Sequence, residues 1–310
     1  MPQIIDSLLP LALLVTLGYA LFRLRFFAES FRRGLDRLVY WVCLPALIVD
    51  VLSRAPGAGV VGQAGRMTLA LLAATAAMAG VAWGIAKLAR LPPPATGVFT
   101  QAAFRGNLAF VGLPVIALAT GHQAELLAKA ALVFAPTVVL YNVLAVAVLT
   151  AAHHRFDLAL PWRMGKSLFT NPVLIACVVG LAVWRTGGPL PGAIRTSLNL
   201  LGQPAGPLAL VGLGGALAVY PVGRHLPTAT AAALLKCVGT PVLAGLAAAW
   251  LGVGGDDRTV LLILAGCPTA VASYVLATQL DGDTALAAAT IALSTLLSGV
   301  TLGAILVLGV

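Results

Sequence analysis

Three observations predict an all-α integral membrane protein of ten transmembrane helices, arranged as two inverted five-helix repeats. The chain of 310 residues is 60% hydrophobic and 9% charged, with a mean hydropathy of +1.00, which leaves too few polar side chains to cover a water-facing surface. Apolar runs of about twenty residues recur, the length a helix needs to cross roughly 30 Å of hydrocarbon, without the short alternation of barrel strands. Five runs precede a basic segment near the middle of the chain and five follow it.

The predicted spans are 4–22, 38–54, 67–86, 97–119, 126–149, 171–186, 197–219, 228–251, 258–280 and 284–309. Span 1 reads as a retained helix, because no Lys or Arg precedes it and no A-x-A-like cleavage site follows. Span 2 ends with Asp50 four residues before Arg54, a spacing that fits either an i,i+4 pair near the surface or a role for Asp50 in coupling. Glu125 and Lys129, at the start of span 5, have the same spacing and read as an interfacial pair. Lys236 lies nearer the middle of span 8, where an ammonium needs a partner or water, and it is the second candidate for coupling.

Formal charge is +9, but the basic residues collect in alternate loops, so the excess reads as membrane topology and not as nucleic-acid binding. Eleven Lys and Arg fall in the loops 1–2, 3–4, 5–6 and 7–8, among them Arg155, Arg163, Lys166 and Arg224, against five in the opposite loops. Both termini are thereby expected on the non-cytoplasmic side of an inner, plasma membrane. Cys43, Cys177, Cys237 and Cys267 are scattered with no C-x-x-C spacing, and His153 and His154 open a basic loop without further ligands, so no cofactor and no metal is expected.

The odd number of spans on each side of the middle loop forces the halves, residues 1–150 and 171–310 around a cytoplasmic linker at 151–170, into opposite orientations. A shift of 160 residues pairs Gly106 with Gly266 and Val115 with Val275, whereas a shift of 154 pairs Gly112 with Gly266 and Pro114 with Pro268. The register stays open, but an inverted repeat points to a carrier that opens alternately to either side.

Spans 4 and 9 are each interrupted near the middle. Span 4 holds Arg105, Gly106, Asn107, Gly112 and Pro114, and span 9 holds Gly266, Pro268, Ser273 and Tyr274. Proline removes a helical hydrogen bond and glycine tolerates unwinding, so each span frees backbone groups that lipid would penalise and a polar cavity would accept. Half-helix N-termini favour anions. Asn107 could donate to a carboxylate, Arg105 could add a positive charge, and Ser273 and Tyr274 carry hydroxyls inside the broken span.

These stretches, "RGNLAFVGLP" and "CPTAVASYVLA" followed by "LDGDTALAAATIALSTLLSGVTL", resemble the two crossover regions of the auxin efflux carrier family. "YWVCLPALIVDVLS" at 40–53 is similar to that family's second helix and "GPLALVGLGGAL" at 206–217 to its seventh. The resemblance implies ten helices with broken, crossing helices 4 and 9, a substrate site shaped by Asn107, Pro114 and Pro268, and organic acids such as malonate or an auxin-like acid as substrates. It also suggests a homodimer. The linker at 151–170 departs from the long hydrophilic region common in plant exporters and fits a compact bacterial member.

The function expected is therefore secondary transport of a small organic anion, with protons or sodium as candidate coupling ions and the bilayer as the other partner. The "GKS" at 165–167 lacks the first glycine of a P-loop, which disfavours ATP-driven transport by this chain. A sodium/proton antiporter of similar architecture is the alternative, but neither interruption carries an Asp or Glu; Asp281 and Asp283 lie beyond span 9. No nucleophile with its base, paired intramembrane aspartates or H-E-x-x-H motif supports an enzyme, and no catalytic residue is assigned. A non-transporting sensor would share the same binding residues.

Overall fold

The computed structural model describes residues 2–54, 58–121, 123–153, 171–186, 190–219 and 225–309. It is all-helical, with no strand among the described residues. The helices are α1 (Pro2–Arg23), α2 (Glu29–Leu38), α3 (Leu44–Ser53), α4 (Ala58–Leu88), α5 (Pro93–Phe104), α6 (Leu113–Ala119) and α7 (Ala124–Ala152). They continue as α8 (Pro172–Arg185), α9 (Gly192–Gly202), α10 (Ala205–Val219), α11 (Leu226–Leu234), α12 (Thr240–Trp250), α13 (Gly255–Gly266), α14 (Ala272–Gln279) and α15 (Thr284–Gly309). Among the described residues, five helical stretches are long and apolar enough to cross a membrane: α4, α7, α9 with α10, α11 with α12, and α15. Of the linker predicted at 151–170, His154, Arg155, Arg163, Lys166 and the "GKS" lie outside the described residues, as does Arg224.

Three π-helical turns, Val39–Cys43, Leu108–Gly112 and Leu235–Gly239, each immediately precede a helix whose second residue is proline: Pro45, Pro114 and Pro241. A proline ring would collide with the carbonyl four residues back, which here belongs to Trp41, Phe110 or Cys237 inside the widened turn. Widening lets the chain keep its direction without that hydrogen bond.

The contacts divide the chain into two compact units, and each draws on both sequence halves. The first comprises residues 1–65, 109–135 and 166–219. Within it α1 and α10 run backbone against backbone: a β-carbon on Gly18 would stand 2.1 Å from the Val211 carbonyl oxygen, and one on Gly214 would stand 2.0 Å from that of Val15. Small residues permit this approach, the usual means of joining helices where lipid removes the hydrophobic drive. Helix α9 seats on α3 in the same way, with Gly202 against the Leu47 backbone.

The second unit comprises residues 66–108, 136–165 and 220–310. Its core is built on α5, α13 and α15, where Phe99, Phe104, Leu261, Ile263, Leu264 and Ile291 are buried. Gly266 lets the end of α13 sit against Leu302 and Ile305 of α15. Cys237 and Cys267 are buried free thiols in this unit, as are Cys43 and Cys177 in the first.

Candidate functional site

Helices α5 and α13, of 12 residues each, both end within the second unit, and the stretches that follow them meet. Gly106 and Thr269 form an antiparallel bridge. The Asn107 amide donates to the Pro268 carbonyl at 2.8 Å, and the Ala270 amide donates to the Arg105 carbonyl at 2.9 Å. Each interruption thus satisfies backbone groups that the other frees, which is how broken helices are tolerated at membrane depth.

The carbonyls exposed at the ends of the two helices are satisfied from the side. The Thr269 hydroxyl donates to Ala102 at 2.9 Å and the Thr240 hydroxyl to Ala103 at 3.0 Å, both in the last turn of α5. At the end of α13, the Ala265 carbonyl accepts from the Lys236 ammonium at 2.5 Å. Lys236 is 0% exposed, and among the described residues no carboxylate lies within ion-pair distance of it. The negative end of α13 is its electrostatic partner.

Gly106 admits Lys236 to the crossing, because a β-carbon there would lie 3.3 Å from the lysine ε-carbon and 3.4 Å from its nitrogen. Arg105, also buried, donates to the Asn142 side-chain oxygen at 2.7 Å. Asn107 is 4% exposed, and its side-chain nitrogen has no hydrogen-bond acceptor among the described residues. Gln101 donates to the Ser273 carbonyl at 3.0 Å, while its own side-chain oxygen and the Ser273 hydroxyl are buried without partners among the described residues. Native interiors rarely leave such atoms unpaired, so water or a bound group is needed to complete their bonding.

The structure therefore brings Arg105, Gly106, Asn107, Pro268 and Lys236 to one place, and Gln101 ties Ser273 of α14 to α5. Tyr274, on the first turn of α14, is half-buried. Pro114 and Asp50 belong to the first unit, where both line a cavity of about 370 Å³. Asp50 is paired with Arg54, whose side chain donates to it at 2.5 to 3.0 Å, and Lys129 pairs with Glu125 at 2.9 Å. Sequence reasoning missed Gln101, Thr240 and Thr269. Gln101 carried a signal, an amide four residues before Arg105 in an apolar span; the two threonines did not stand out from the other small residues.

Interrupted apolar helices that satisfy one another's backbone beside buried basic side chains recur in membrane transport proteins. The family model described as Membrane transport protein matches residues 3–156 and 158–306, and the chain belongs to this family, that of the auxin efflux carriers. An "Uncharacterized transporter" from Methanothermobacter thermautotrophicus is 27% identical over 298 residues, covering 96% of this chain and 95% of that protein. A protein of Rhizobium meliloti named "Putative malonate transporter" is 26% identical over 317 residues, covering 99% of this chain and 96% of its own length. The protein is thus a multi-pass membrane protein with a transport role.

Proposed function

We propose that the chain is a secondary active carrier of a small organic anion, binding its substrate where the interruptions of spans 4 and 9 meet and moving it by alternating access. The observation that carries this reading is the meeting of a buried lysine amine, Lys236, with the unfilled side-chain donor of Asn107 at the paired breaks that follow α5 and α13. Lys236 and Arg105 supply positive charge, and Asn107 and Ser273 supply donors that a carboxylate can accept from. Gly106 and Pro268 shape the crossing. The name of the Rhizobium meliloti relative makes malonate the first substrate to try.

Ten spans in two inverted five-helix repeats, with the breaks at spans 4 and 9 as the crossing, are part of this reading. So are both termini on the non-cytoplasmic side of a bacterial inner membrane, which the loop charges support, protons or sodium as coupling ion, and a homodimer. The test is uptake and counterflow of labelled malonate and related acids in proteoliposomes under imposed proton and sodium gradients. Saturable flux that Asn107→Ala weakens in a folded protein supports the carrier; no flux with any acid under either gradient removes it. A sodium/proton antiporter is the second reading, favoured by the titratable amine of Lys236 at the crossing, and sodium-driven proton movement without any acid would establish it.

A further inference from the structure

The turn between α1 and α2 and the outer face of α2 carry a surface that is at once apolar and basic. Helix α1 closes in a Schellman turn, with the Phe26 amide donating to the Leu21 carbonyl at 2.9 Å and the Arg25 amide to that of Phe22 at 3.1 Å. The residue at its left-handed position is Arg25, at φ 58°, where glycine would be free of strain. A chain of rings follows: Phe27 stacks on Phe31 at 4.1 Å, and Phe22 and Phe26 lie against Phe27 at 5.9 and 5.0 Å.

Helix α2 turns Leu35 and Asp36 toward Gly212 of α10. Its buried Arg32 takes up both acids of the helix, donating to Glu29 at 2.9 Å and to Asp36 at 2.7 Å. The other four arginines of the segment, Arg23, Arg25, Arg33 and Arg37, are exposed, and among the described residues no carboxylate lies within ion-pair distance of any of them. Beside them Leu24, Phe26, Phe31, Leu38 and Trp41 are exposed too, Leu24 to 79% and Phe26 to 73%. Helical spacing puts Phe31 and Leu38 on one flank of α2 and Arg33 and Arg37 on the other.

A basic loop that met only water would gain nothing by exposing three aromatic rings and two leucines. At the level of lipid head groups the two features agree, because rings and leucines enter the acyl boundary while guanidiniums stay with the phosphates. With both acids of α2 held by Arg32, the outward charge is positive, and a zwitterionic head group would bring its own ammonium to it; an anionic one complements it.

We propose that the turn after α1 and the outer face of α2 form a docking site for an anionic phospholipid of the surrounding leaflet, its head group on Arg25, Arg33 and Arg37 and its acyl chains on Phe26, Phe31 and Leu38. The site is independent of the crossing and of what the chain carries.

The experiment follows the thermal unfolding midpoint of the purified full-length protein in dodecyl maltoside as dioleoyl phosphatidylglycerol is titrated, with dioleoyl phosphatidylcholine and inorganic phosphate as separate arms. Phosphatidylglycerol should give a saturable rise that the other two do not. Arg25→Gly suits the left-handed backbone, so the fold is kept while the half-saturating lipid fraction should rise about fivefold, the worth of one arginine near an anionic surface. Arg33→Gln combined with Arg37→Gln, both exposed and outside the ion pairs, should raise it more than about tenfold. Arg90→Gly makes the same backbone change at φ 52° in the second unit and should leave the titration as in the parent. No rise in the parent, an equal rise with phosphatidylcholine or phosphate, or equal losses in Arg25→Gly and Arg90→Gly overturns the proposal.

Discussion

The ammonium of Lys236 stands 3.4 Å from where a β-carbon on Gly106 would be, while donating to the Ala265 carbonyl at 2.5 Å. One residue without a side chain thereby lets a buried cation reach both interruptions at once. Gly106 is the position where the smallest possible insertion tests the crossing.

Gly106→Ala should shift the ammonium by a few tenths of an ångström and Gly106→Val by more. The expected result is a graded fall in the initial rate of acid uptake, about tenfold or greater for valine, because misplacing a binding group costs more than it costs stability. Uptake rates normalised to the amount of monodisperse protein check it, and equal rates in both variants would show that the lysine approach is unimportant.

Lys236→Met and Lys236→Gln separate charge from capping. Methionine removes both the charge and the donor to Ala265, whereas glutamine keeps a donor. Both should lose about a hundredfold in uptake if the charge binds substrate. The unfolding midpoint should change little in the glutamine variant and fall in the methionine variant, which leaves the Ala265 carbonyl buried without its donor.

Asn107→Asp replaces a side-chain donor by acceptors and adds negative charge beside the proposed anion position. Half-saturation for malonate should rise about tenfold or more, and Asn107→Ala should be less damaging than the aspartate, because it removes the donor without adding repulsion. Counterflow kinetics of the two variants provide the comparison; an aspartate milder than the alanine would contradict an anionic substrate.

Gly214→Ala tests the α1–α10 contact and no binding chemistry. Its new methyl would overlap the Val15 carbonyl oxygen at 2.0 Å, forcing two helix backbones apart at a cost of about 1–3 kcal/mol. Gly59→Ala, whose methyl meets nothing within 4 Å, should be neutral or slightly stabilising. Thermal unfolding of the two variants checks the contrast.

Thr269→Val should likewise destabilise, by about 1–3 kcal/mol, because it leaves the Ala102 carbonyl buried without its donor at an otherwise unchanged shape. The lower unfolding midpoint should appear without any change in half-saturation if Thr269 serves the crossing and not the substrate.

The interruptions at Arg105–Asn107 and at Pro268 were legible because glycine and proline mark broken helices from the local sequence alone. Pro45, Pro114 and Pro241 show the limit of that signal. At each the chain widens into a π turn, so a proline in an apolar span can start a helix as well as end one. Within the described residues Pro114 lines a cavity of the first unit, whereas Asn107 is part of the second.

Lys236 was visible as a buried charge but its acceptor was not, since the Ala265 carbonyl lies 29 residues further on and every residue has a carbonyl to offer. The same holds for Gln101, whose partner in Ser273 is 172 residues away. By itself the sequence determined an all-helical membrane protein and where two of its apolar segments break, because apolar length and helix-breaking residues act within a few turns of chain. The tertiary structure decided which freed carbonyl meets which hydroxyl or ammonium, and that Asp50 turns to Arg54 beside a cavity. Those choices depend on which backbones approach closely enough to pair, and that is a property of the packed helices, not of any one of them.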